Sequence, residues 1–217
     1  MWLPGHLAVS FLLCLPLLVY VKRERLLALF YVAFFALLPD FLHLGPLRVP
    51  SHSIIGLTVM LSVALVTLYL LFRPRPILLA IGAVAAVGHL LADLYIGSIY
   101  PLYPVSSEWY ALHQFNTAFD IRVEIVLSGI ALGVLILGFN LRELYRSRRG
   151  YTRSMNANLY LLIVAFGAMA LLQGAYFAYT MLGNPFDPMR GVLLLLFLVP
   201  LVPTGVLLLR LTLPLPD

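Results

Sequence analysis

One apolar stretch follows another along this chain, each about as long as a helix that crosses a bilayer, and no other feature constrains the fold as strongly. A hydrocarbon core of about 30 Å takes roughly 20 consecutive apolar residues in helical form. No water reaches the backbone there, so a spanning segment must satisfy its own N–H and C=O groups, which a helix does. Such stretches fall near residues 3–21, 26–42, 53–72, 77–97, 123–141, 155–182 and 190–210. Composition agrees: 62% of the residues are hydrophobic and 11% are charged, against about a quarter charged in soluble domains. The expected fold is all-α, a polytopic transmembrane bundle of about seven spans in a single membrane domain over residues 1–217.

The net charge of +5 does not indicate nucleic-acid binding, because the basic residues sit in short segments that follow apolar stretches. Lys22, Arg23 and Arg25 follow the first, Arg73 and Arg75 the third, and Arg142, Arg146, Arg148, Arg149 and Arg153 the fifth, while Arg210 closes the seventh. Lysine and arginine accumulate on the cytoplasmic side of membrane proteins. This places the N-terminus outside, the C-terminus in the cytoplasm, and the connections at 43–52, 98–122 and 183–189 outside. Only Arg48, Arg122 and Arg190 fall on the outer side. No basic segment precedes the first stretch, so it reads as a retained helix and not as a cleaved signal. The expected location is the inner or plasma membrane, with lipids as the surrounding partners. Cys14 is the single cysteine, which excludes a disulfide framework and suits a packing role.

Residues 1–105 carry the motifs on helices 1–4, residues 106–122 read as an outer connecting helix, and residues 123–217 hold helices 5–7. Ser106 or Ser107 can cap the connecting helix, with Glu108 in its first turn. From His113, the polar residues Asn116, Asp120 and Glu124 recur at helical spacing on one face. Glu108, His113, Asp120 and Glu124 are thus candidates for a general base, although an exposed polar helix face is the simpler account. Tyr100, Tyr103, Trp109 and Tyr110 suit an interfacial aromatic belt. Pro200 and Pro203 suit a kink in the seventh span.

Four motifs carry the chemistry: Pro4-Gly5-His6, Leu38-Pro39-Asp40-Phe41-Leu42-His43, Pro50-Ser51-His52-Ser53 and Gly88-His89-Leu90-Leu91-Ala92-Asp93. Asp40/His43 at i,i+3 and His89/Asp93 at i,i+4 each share a helix face. The charge-derived topology uses no histidine, yet it sets all four motifs at outer helix ends or in outer loops. At about 1.5 Å per residue, His89 stands about 18 Å and Asp93 about 24 Å above the inner start of their span, so the site is recessed in the outer leaflet. Imidazole with carboxylate is the ligand set of zinc and other divalent first-row metals, manganese among them. His6, Asp40, His43, His52, His89 and Asp93 exceed the three protein ligands usual for a catalytic zinc. Either two ions bind or some of these groups support the others. Ser51 and Ser53 beside His52 read as helix-capping residues.

The order of these motifs, followed by Tyr100-Pro101-Leu102-Tyr103-Pro104, resembles the YdjM-like, LexA-binding, inner-membrane-associated metal-dependent hydrolases over about residues 1–105. The resemblance implies metal-site roles for His6, Asp40, His43, His52, His89 and Asp93. The family pattern His-Arg-x-x-Thr/Ser-His meets Leu47-Arg48-Val49-Pro50-Ser51-His52 here, with Leu47 in place of its first histidine.

The leading expectation is a membrane metallohydrolase. A divalent metal activates water, a carboxylate such as Asp40 or Asp93 orients or deprotonates it, and a lipid or lipid-linked phosphoester arrives from the outer leaflet. The alternatives are a divalent-metal transporter, which needs polar residues continuing through the inner leaflet, and a noncatalytic scaffold with a closed structural metal.

Overall fold

The computed structural model describes residues 3–42, 48–112 and 117–182. The seventh stretch at 190–210, together with His43 and His113, lies outside the described residues. The chain divides into two compact units, Met1–Asn158 and Leu159–Asp217. The described part of the second unit is the continuation of one long helix.

The described residues are helical, with no β-strand among them and one isolated antiparallel bridge between Ile99 and Tyr110. In order come α1 (Leu3–Leu18), α2 (Arg25–Ala36), a 3₁₀ turn (Pro39–Leu42), α3 (Arg48–Ser51), α4 (Ile54–Phe72), α5 (Pro76–Tyr95), α6 (Thr117–Gly138), α7 (Leu141–Ser147), a 3₁₀ turn (Arg148–Gly150) and α8 (Arg153–Leu182). In α4, α5 and α6, the stretches Ile54–Phe72, Pro76–Tyr95 and Ala118–Gly138 are long and apolar enough to cross a membrane. α1 and α2 are apolar but shorter. At 12 residues, α2 spans about 18 Å.

The second expected span, 26–42, therefore stops early as an α-helix. Pro39 disfavours helical backbone at Leu38 and brings no N–H of its own. The chain tightens there into the 3₁₀ turn that carries Asp40. The connecting helix expected over 106–122 is also relocated. Residues 106–112 are not helical, and Ser106 Oγ accepts the Glu108 N–H at 3.1 Å in a local turn. Among the described residues helix is next found at Thr117 and runs on into the fifth apolar stretch.

In the first unit α5 is central. α1 and α2 both pack on it and on each other, and α1 also packs on α6. Over half of the α5 window is buried (56%), whereas α4 and α6 bury 11% of theirs and turn apolar surface outward. The α1–α5 seam has an antiparallel four-residue register. His6 stacks on His89, Ser10 Oγ donates to the Ala85 carbonyl (2.8 Å), and Cys14 Sγ reaches the Ile81 carbonyl (3.5 Å). Positions 6, 10 and 14 share one face of α1, as 81, 85 and 89 share one face of α5. Gly88 lets the helices close, since a Cβ there would stand 2.9 Å from Ser10 Oγ and 3.1 Å from Ser10 Cα. Cys14 is a buried packing residue, as the sequence suggested.

Candidate metal centre

Five of the six expected ligands meet at one end of this unit: His6 on α1, Asp40 on the 3₁₀ turn after α2, His52 between α3 and α4, and His89 and Asp93 on α5. All five are buried, at 7% exposure or less. The sixth, His43, falls outside the described residues.

Each element delivers its side chain for a local reason. The α1–α5 seam aligns His6 with His89, their rings parallel within 9° and 3.8 Å apart. Ser53 is the N-cap of α4; its Oγ accepts the Gly56 N–H (2.9 Å) and donates to the Pro50 carbonyl (2.8 Å). That cap satisfies an otherwise orphaned first-turn donor and fixes His52 one residue before the cap. A Cβ at Gly56 would collide with the Pro50 carbonyl, so α4 can approach this turn only with glycine there. His89 and Asp93 stand one turn apart on α5, with Nε2 to Oδ2 at 3.3 Å.

The donor atoms form a tight set. His52 Nε2 lies 3.2 Å from Asp40 Oδ1, 3.3 Å from Asp93 Oδ2 and 3.2 Å from His89 Nε2. His89 Nε2 is 3.7 Å from Asp40 Oδ1. His6 Nε2 is 3.3 Å from Asp93 Oδ1 and 4.0 Å from Asp40 Oδ2. Each carboxylate thus turns one oxygen to His6 and the other to the His52–His89 pair.

Hydrogen bonds behind the rings fix which nitrogen carries the proton. His89 Nδ1 lies 2.6 Å from the Ala36 carbonyl, and His52 Nδ1 lies 3.0 Å from the Arg48 carbonyl and 2.9 Å from Ser51 Oγ. A carbonyl only accepts, so both Nδ1 atoms donate. In the neutral ring each Nε2 then presents a lone pair. Two Nε2 lone pairs and the carboxylate oxygens converge, acceptor facing acceptor, in a buried space. Such an assembly demands positive charge. One ring proton cannot bridge all of these contacts, whereas a single divalent cation can serve them together. Ligands about 2.0–2.2 Å from one ion stand about 3–3.5 Å from each other, which matches most of the distances above. Imidazoles that donate their far N–H to backbone carbonyls are the usual support of metal-binding histidines. Two overlapping triplets, His6–His89–Asp93 and Asp40–His52–His89, have geometry that can hold an ion.

None of the other described sequence candidates belongs to these two triplets. Glu108 is exposed and accepts from the Tyr110 hydroxyl at 3.2 Å. Asp120 and Glu124 are buried on α6, so the exposed polar face expected there is corrected at both positions. Helical spacing showed that they share a face but could not show which way it points. Of the two serines beside His52, Ser53 caps α4 as expected, whereas Ser51 bonds the His52 ring. The backbone acceptors at Ala36 and Arg48 left no signal in the sequence, because a carbonyl belongs to every residue.

The segment 99–112 lies against the same end. Ile99 and Tyr110 exchange backbone hydrogen bonds (3.0 and 2.9 Å), the Ile54 N–H donates to the Pro101 carbonyl (3.0 Å), and the Leu112 N–H donates to the Leu94 carbonyl (2.9 Å). Leu102, Val105, Trp109, Tyr110 and Leu112 on this segment are exposed. Fold and site define a helical protein with membrane-length helices and a buried His/Asp group able to hold a metal ion. No family model matches the chain, and no curated protein or solved structure matches it.

Proposed function

We propose that the chain is a multi-pass protein of the inner or plasma membrane and a metal-dependent hydrolase. In this reading it has seven spans, its N-terminus outside and its C-terminus in the cytoplasm, and its site opens from the outer leaflet. The observation that carries the reading is the convergence of His52 Nε2 and His89 Nε2 on Asp40 and Asp93 with both Nδ1 atoms committed to carbonyls. The motif order, which resembles that of the YdjM-like hydrolases, supports the same assignment.

His6, Asp40, His52, His89 and Asp93 would hold the ion, with zinc the first choice for this donor set and manganese the second. When bound, a divalent ion polarises a phosphoryl or acyl oxygen and lowers the pKa of water. Asp93, facing His6, His52 and His89, orients the three imidazoles. Asp40 Oδ2 has the longest of these contacts, 4.0 Å to His6 Nε2, and is the atom we assign to receive a proton. Burial of all five groups excludes bulk water and strengthens their electrostatics. The exposed apolar side chains of the 99–112 segment beside the site favour a lipid or lipid-linked phosphoester as substrate.

Reconstituted protein is expected to release phosphate or headgroup from such a lipid only with zinc or manganese present, and to stop on chelation or in Asp93→Asn. Metal-loaded protein inert toward every lipid phosphoester would instead support a second reading, a structural metal in a scaffold. The near-complete burial of the ligands is the observation that favours that alternative.

A further inference from the structure

The opposite end of the first unit gathers the basic connections, and the candidate metal centre makes no use of them. Arg75 Nη1 lies 3.8 Å from Glu24 Oε2, which ties the connection after α1 to the one after α4. Ser154 Oγ donates to the Phe72 carbonyl at 2.9 Å, bringing the start of α8 to the end of α4. The Leu27 N–H donates to the Tyr151 hydroxyl at 3.3 Å, and α7 packs on α2. Segments 22–25, 72–75 and 141–154 therefore form one surface. Arg23, Arg73, Arg75, Arg146, Arg149 and Arg153 are exposed on it. Its carboxylates are Glu143 and the buried Glu24, which already faces Arg75.

Two features point past a mere topology signal. Lysine and arginine serve that signal alike, yet every basic residue of these connections except Lys22 is arginine. The planar guanidinium fork matches phosphate oxygens in pairs, which an ammonium group does not. The placement is also rigid. Arg73 ends α4 in the left-handed conformation (φ 46°) with its N–H on the Tyr69 carbonyl. Pro74 and Pro76 then hold Arg75 extended at the start of α5. Arg73 and Arg75 thus stand within three residues of the ends of two membrane-length helices, which is the level of lipid headgroups when α4 and α5 span a bilayer.

We infer that this arginine-rich end binds the phosphate headgroups of anionic phospholipids in the adjoining leaflet. The full chain in neutral detergent, titrated with short-chain phosphatidylglycerol or phosphatidylcholine and followed by native mass spectrometry, is expected to retain the first saturably and not the second. The variant Arg73→Gln/Arg75→Gln/Arg149→Gln is expected to lose about fivefold in affinity per arginine removed. Arg73→Lys/Arg75→Lys/Arg149→Lys keeps every charge and the topology signal, and is expected to bind about threefold more weakly because paired phosphate contacts are lost. Equal retention of the two lipids, or wild-type affinity in the lysine variant, would overturn the inference. So would displacement of the lipid by inorganic phosphate at equal phosphate concentration, or a preference for duplex DNA.

Discussion

The two ends of the first unit use polar residues in opposite ways. At the histidine end, five ionisable side chains turn inward, and imidazole nitrogens stand 3.2–4.0 Å from carboxylate oxygens. At the arginine end, like charges spread outward at the surface. Polar groups withdrawn from water into an apolar bundle must find a partner of opposite charge, whereas exposed cations at a helix end are stabilised by water and headgroups. The same chain therefore gathers buried groups that could hold an ion at one end and exposed cations at the other.

The contrast breaks first at the histidine end. His89→Ala removes the group shared by both ligand triplets, and metal affinity is expected to fall by more than about 100-fold, beyond the range for supporting residues. Isothermal titration with zinc measures it, and unchanged affinity would mean the cluster is a proton network. Gly56→Ala drives a methyl group into the Pro50 carbonyl and displaces the turn that presents His52. A stability loss of about 2–3 kcal/mol in thermal unfolding is expected, with weaker metal binding alongside. Ser51→Ala leaves all ligands in place but frees the His52 ring from one of its two Nδ1 partners. Metal affinity is expected to drop about tenfold with little change in unfolding temperature.

The smallest effect belongs to the arginine end. Glu24 precedes α2 without capping it through its side chain; the Leu27 N–H is taken instead by Tyr151. Burial raises the pKa of the Tyr151 hydroxyl, so it stays neutral. Tyr151→Phe is expected to cost about 1 kcal/mol and to leave metal affinity unchanged. Coupling between this substitution and the metal would show that the two ends are not independent.

Much of this contrast was legible in the sequence, and the reason differs by element. The basic connections announced their shared end because cations cannot be hidden in an apolar chain, and the hydrogen bonds linking Phe72, Ser154, Leu27 and Tyr151 bear that out. His6, Asp40, His52, His89 and Asp93 stood out because each interrupts or ends an apolar stretch. Their convergence depended on the α1–α5 register, which Ser10, Cys14 and Gly88 set through small size and backbone contacts that no pattern of hydropathy encodes. The second apolar stretch looked like one span because Pro39 does not reduce its hydropathy, although it ends the helix. Asp120 and Glu124 were placed on a common face correctly and on the wrong side, since only packing decides which face is covered.

Metal stoichiometry tests the central claim most directly. The purified full chain, stripped with chelator, reloaded with zinc and passed through a desalting column, is expected to keep at least one tightly held ion per chain, and His89→Ala with native helix content to keep none. A wild-type chain that retains no stoichiometric zinc or manganese, or a His89→Ala chain that retains as much as wild type, would contradict the account.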